Sequence, residues 1–139
     1  MKIDVLDPRA ASLPRLPTRP VPLMLLRGEG AAALAVATVV YARAGEPWWL
    51  YAALFLVPDI TMLGYLIGKR AGAALYNAGH SSILPVLLGL AGVALAQNLA
   101  IAVAAVWVAH IGFDRMLGYG LKFASGFGDT HLRIGRAGG

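Results

Sequence analysis

The stretch Asn98-Leu-Ala-Ile-Ala-Val-Ala-Ala-Val-Trp-Val-Ala-His110-Ile-Gly-Phe-Asp114-Arg115-Met-Leu-Gly118 decides the fold. From Asn98 to Ala109 it has no ionisable side chain, and the whole run matches the roughly 20 apolar residues a helix needs to cross a bilayer. Working outward, three more segments have the same character. They run from Val21 to Ala42, from Trp48 to Gly68 and from Gly72 to Ala96. Asp59 is the one charge in the second, and His80 the one titratable group in the third. The first carries Arg27 and Glu29 in its opening third. The breaks between segments are short, as expected of antiparallel neighbours. The fold class expected is therefore all-α: an integral membrane bundle of four transmembrane helices.

Composition agrees. Of 139 residues, 58% are hydrophobic and 14% charged, with a mean hydropathy of +0.67. A soluble domain carries nearer a quarter charged residues. A disulfide scaffold is excluded, because there is no cysteine. The net charge of +5 does not require a nucleic-acid partner, since basic cytoplasmic ends give the same sum. With the N-terminus inside, all 12 Lys and Arg except Arg43 lie at or inside the inner boundary. The positive-inside rule then makes both termini cytoplasmic. Trp48, Trp49 and Tyr51 start the second span at the outer interface, where amphipathic rings are favoured, and Tyr41 is expected to join them.

Three regions follow. Residues 1–20 are a Pro- and Arg-rich cytoplasmic tail, residues 21–122 the transmembrane domain, and residues 123–139 a Gly-rich basic tail. Gly64, Gly68 and Gly72, spaced by four, read as a close-packing face. Pro58 and Pro85 lie within spans, where proline removes a helix hydrogen bond and can kink the helix.

A charged side chain at the centre of a span costs about 2.5–3.5 kcal/mol on insertion scales, so the polar residues inside the spans carry the functional signal. Counting from the cytoplasmic span ends, Asp59, His80 and His110 lie at one level, about 12–14 Å in at 1.5 Å per residue. Glu29 falls near it. His110 and Asp114 are four apart and share a helix face. Asn77 and His80, three apart, share another. Two imidazoles and two carboxylates converging on a bundle core suit zinc, iron or manganese. Asp59, His80, His110 and Asp114 are the expected metal set, with Asp59 and Asp114 as catalytic acids. Arg27, Glu29, Asn77 and Arg115 are the expected substrate contacts. Glu29 is also open to a fifth-ligand role or, more simply, an ion pair with Arg27. Tyr65 and Tyr76 lie near the layer and could donate hydrogen bonds to it, although a packing role suffices. His131 and Asp129 could fold over the cytoplasmic mouth, against the simpler reading of a surface tail.

The runs Tyr51–Tyr65, Tyr76-Asn-Ala-Gly-His80, Trp107–Lys122 and Asp129-Thr-His131 resemble a bacterial family of small integral membrane proteins, catalogued as a domain of unknown function. The likeness extends from Arg27 to Arg136 and implies a four-helix membrane protein. A more distant likeness lies in Pro58-Asp59, then His80-Ser81, then His110-x-x-x-Asp114. That order resembles the inner-membrane metal-dependent hydrolases, which carry Pro-Asp-x-Asp, Arg-Gly-x-Thr-His-Ser and Ser-His-x-x-x-Asp motifs. The resemblance implies a metal role for Asp59, His80, His110 and Asp114. That family's second acid falls here on Thr61 and its first His on Leu75, which removes ligands that two metals would need.

Three functions compete. The first is a membrane-embedded metal-dependent hydrolase, with a zinc-type divalent ion, acting on a lipid-like or phosphorylated amphiphile at the inner leaflet. The second is a small proton-coupled transporter using Glu29 within a homodimer, like small multidrug exporters. It leaves His80, His110 and Asp114 unemployed. The third is a non-catalytic membrane module that assembles with a larger partner.

Overall fold

The computed structural model describes residues 20–124 and residue 130. The expectations for the N-terminal tail and for Asp129 and His131 lie outside the described residues. Five α-helices and one 3₁₀ segment build the four spans. They are α1 (Pro20–Ala44), α2 (Trp48–Phe55), the 3₁₀ segment Val57–Leu66, α3 (Lys69–His80), α4 (Ile83–Ala94) and α5 (Asn98–Leu117). Joined end to end they give four helical stretches long and apolar enough to cross a membrane: Pro22–Ala44, Trp48–Leu66, Lys69–Ala94 and Asn98–Leu117. Among the described residues there is no strand, only a single antiparallel bridge between Lys122 and Thr130.

The two prolines do more than kink their spans. Pro58 has no N–H to give the carbonyl of Leu54, so α2 stops at Phe55. The chain continues in the tighter 3₁₀ winding, beginning with the Asp59 N–H on the Leu56 carbonyl at 3.2 Å. Pro85 would clash with the carbonyl of Ser81 in a continuous helix. The third span accordingly breaks after His80, where Ser81 is extended, and restarts at Ile83. Pro85 then occupies the first turn of α4, where a missing N–H is harmless. The expected continuous third helix is thus two helices, and His80 is the last residue of the first.

α1 lies along α5, α4 packs on the same helix, and the 3₁₀ segment packs on α3. The α1–α5 crossing brings backbones into contact. A Cβ on Gly112 would stand 2.7 Å from the Gly30 carbonyl and the Leu34 nitrogen, and one on Gly30 would stand 2.6 Å from the Met116 nitrogen. Gly64 and Gly72 do face close neighbours as expected, Leu75 and the Tyr65 ring respectively. Gly68 has open space around it. The left-handed Gly118 (φ 90°) ends α5, with the Tyr119 N–H bonded to the Asp114 carbonyl at 2.8 Å.

The aromatic belt is only partly as expected. Trp48 and Trp49 are exposed, but Tyr41 is fully buried against Ala102, Ala105 and Val106. Its hydroxyl donates to the Pro47 carbonyl at 2.6 Å. That bond satisfies the ring's polar end inside the bundle, so Tyr41 is a core residue rather than an interface anchor.

Candidate metal centre

His80 ends α3, His110 sits in the second half of α5, and Asp59 lies in the first turn of the 3₁₀ segment. Their donor atoms converge. The two histidine Nε2 atoms are 3.1 Å apart. Asp59 Oδ1 is 3.5 Å from each of them. These three donors form a compact group suited to a metal ion. Asp114, one turn beyond His110, puts Oδ2 3.5 Å from His80 Nε2 and 3.8 Å from His110 Nε2. Donors about 2.0–2.1 Å from a tetrahedral zinc stand about 3.3–3.4 Å from one another. The separations here, 3.1–3.5 Å within the triple, fit that requirement. Both imidazoles are buried, Asp114 is mostly buried at 17% exposure, and Asp59 at 43% is the open side.

The surroundings fix the orientation of His80. Its Nδ1 donates to the Tyr76 carbonyl at 2.9 Å, which leaves the Nε2 lone pair facing the cluster. The Tyr76 ring stacks on the imidazole at 3.8 Å and 12°. The Tyr76 hydroxyl donates to Asp114 Oδ2 at 3.3 Å. Trp107 Nε1 donates to the Gly79 carbonyl at 2.6 Å, pinning the end of α3 to α5. Gly79 lies so close to Thr61 that a Cβ there would be 2.7 Å from the Thr61 methyl. His110 stands edge-on to Phe55. Its Nδ1 has no hydrogen-bond partner among the described residues.

The chain belongs to the DUF4260 family. Residues 23–134 match this domain of unknown function, a span that contains all four residues of the cluster. No curated protein and no solved structure matched.

All four expected metal ligands of this DUF4260 chain therefore meet. Of the expected substrate contacts, Arg115 borders the cluster, while Arg27, Glu29 and Asn77 turn to other surroundings. Asn77 is committed to the backbone of Lys122: its Nδ2 donates to the Lys122 carbonyl at 2.8 Å, and its Oδ1 accepts from the Lys122 N–H at 2.7 Å. Its amide clamps the segment after α5 over the cluster. Arg27 and Glu29 form no ion pair, because residues two apart on a helix point to different sides. Arg27 Nε instead donates to the Met116 carbonyl at 2.8 Å, near the end of α5. Glu29 is no fifth ligand. It lines a cleft with Ser82, Ile111 and Arg115, away from the α5 face that carries His110 and Asp114. Ile111 and Arg115 also border a small pocket of about 10 Å³ over His80 and Asp114.

Tyr76, expected near the layer as a packing residue or hydrogen-bond donor, makes both contacts, and Trp107 is a site residue with no signal in the sequence. Tyr76 stands four before His80, the spacing at which a helix carbonyl meets an imidazole. That signal was present. Trp107 pairs with a carbonyl 28 residues earlier, which no local pattern encodes.

Proposed function

We propose that the chain is a multi-pass inner-membrane protein, with both termini cytoplasmic, that works as a metal-dependent hydrolase on a lipid-like or phosphorylated amphiphile. The observation carrying this reading is the approach of Asp59 Oδ1, His80 Nε2 and His110 Nε2 to within 3.1–3.5 Å of one another. Orientation is supported by charge. Arg27, Lys69, Arg70, Arg115 and Lys122 stand at one end of the bundle, and Arg43 at the other.

Asp59, His80 and His110 would hold one divalent ion of the zinc type. Such an ion supplies Lewis acidity toward an ester or phosphoryl oxygen and makes water more acidic. The chain's own residues do the rest. Tyr76 keeps His80 in the ligating tautomer through its carbonyl. Asp114, against both imidazoles yet outside the compact triple, is suited to take a proton from the attacking water. The Tyr76 hydroxyl orients that carboxylate. The half-exposed Asp59 edge is the side open to substrate. Phe55 and Tyr76 cover the imidazoles on other sides, which limits water to that edge.

The test is metal content. Wild-type protein is purified without chelators, incubated with zinc, iron(II) or manganese, and measured by plasma mass spectrometry. The expected result is one ion per chain. Asp59→Ala, His80→Ala and His110→Ala should each lower retention at least about a hundredfold, while Asp114→Ala lowers it less. Wild type that stays metal-free after loading overturns the proposal. In that case His110 Nε2–H simply donates to His80 Nε2, and NMR of the imidazoles would report that tautomer pair.

A further inference from the structure

The cleft that holds Glu29 is one end of a longer feature. It has a volume of about 210 Å³. A second cavity of about 350 Å³, almost wholly apolar, runs between α1, α4 and α5. Ala33 and Val108 line both, so the two adjoin along α1 and α5. All three helices lead away from the charged end together: from Glu29 to Val40 on α1, from Ser82 to Val93 on α4, and from Arg115 to Ile101 on α5. At 1.5 Å per residue these paths measure about 16–21 Å. One leaflet of a bilayer has a hydrocarbon depth of about 15 Å. The groove is thus polar at its mouth, apolar along its length, and as deep as one leaflet.

The mouth has both signs of charge. Arg115 and Glu29 line it from opposite helices, and neither belongs to an ion pair among the described residues. A head group with only a phosphate would meet repulsion from Glu29. One with only an ammonium would meet repulsion from Arg115. A head group with both satisfies both.

We propose that this groove binds one acyl chain of a zwitterionic, amine-bearing phospholipid, with its phosphate on Arg115, its ammonium on Glu29 and its second chain in the bilayer. The site lies on a different face of α5 from His110 and Asp114. It is a second site, and its occupation does not depend on the metal centre. Ile111 and Arg115 separate the two, so a lipid seated here has its head beside the cluster.

The full chain in dodecyl maltoside is titrated with phosphatidylethanolamine or phosphatidylglycerol of identical acyl chains, and bound lipid is counted by native mass spectrometry. Wild type should retain phosphatidylethanolamine about fivefold more tightly. Glu29→Gln should abolish that preference, and Arg115→Gln should weaken both lipids by about tenfold. Val86→Trp, which fills the groove, should lose the lipid. Val39→Trp, exposed on α1 and outside the groove, should keep it. Helix content by circular dichroism and metal content on the same samples separate unfolding, and failure of the metal reading, from failure of this one. Equal retention of the two lipids by wild type, or retention unaffected by Val86→Trp, overturns the proposal. If Val86→Trp instead turns a dimer into a monomer with lipid retention intact, a second copy of the chain fills the groove and the lipid assignment falls.

Discussion

The contact between α1 and α5 and the contact between α3 and α5 are built on opposite principles. Where α1 crosses α5 at Gly30 and Gly112, neither residue has a side chain, and one backbone rests on the other. Where α3 meets α5, side chains make the joint: Trp107 holds the Gly79 carbonyl, Tyr76 reaches Asp114, and the two histidines face each other. In a bilayer, lipid is as apolar as leucine, so helices associate by close packing and by hydrogen bonds rather than by hydrophobic burial. The chain uses the first for its scaffold and the second for its polar centre. The scaffold should therefore respond to added volume, and the centre to lost polarity.

The largest effect should come from the scaffold. Gly112→Ala puts a methyl 2.7 Å from two backbone atoms that cannot rotate away. A loss of about 3 kcal/mol is expected, read as a lowered melting temperature in detergent with metal lost only as the helices separate. Metal loss well below the melting transition would break the division drawn between the two regions.

Next comes Asn77→Ala. It removes the two bonds that Asn77 makes to the Lys122 backbone, at a cost of about 1–2 kcal/mol. Limited proteolysis should cut the segment after α5 faster, while the spans stay intact. A variant as resistant as wild type would show that other contacts hold that segment.

The smallest effect sharpens the comparison most. Tyr76→Phe keeps the stacked ring and the carbonyl that accepts from His80, and removes only the long bond to Asp114. Stability should change by about 0.5–1 kcal/mol. If the metal reading holds, hydrolysis should fall about tenfold with metal content unchanged. Loss of metal together with activity would assign the Tyr76 hydroxyl to holding the ion rather than to orienting Asp114.

The polar centre was readable from the sequence for a particular reason. Asp59, His80, His110 and Asp114 stand in otherwise apolar runs, where an ionisable group is costly. Counting residues from span ends gives Asp59, His80 and His110 a common depth, and the four-residue spacing ties Asp114 to His110. The contacts assigned to Arg27, Glu29 and Asn77 were not readable in this way. Arg27 sits near a span end, where polarity is cheap; Glu29 and Asn77 lie further inside their spans, but a residue count gives depth and not the direction a side chain faces. Their partners are far along the chain, 89 residues away for Arg27 and 45 for Asn77. Pro58 and Pro85 marked where the spans would deviate. Sequence alone did not say that one would wind into 3₁₀ and the other split its helix, because either outcome relieves the missing hydrogen bond.

Hydropathy and length by themselves determined that the chain folds as four membrane-crossing helices. In an apolar solvent each span must satisfy its backbone internally, which leaves the helix as the available form. The tertiary structure alone decided which face of each helix meets which. It set Gly30 on Gly112, buried Tyr41, turned Glu29 away from the histidines, and brought His80 to 3.1 Å from His110. Those outcomes depend on the rotation of each helix about its own axis. That rotation is fixed by steric fit between residues far apart in sequence, and no local pattern contains it.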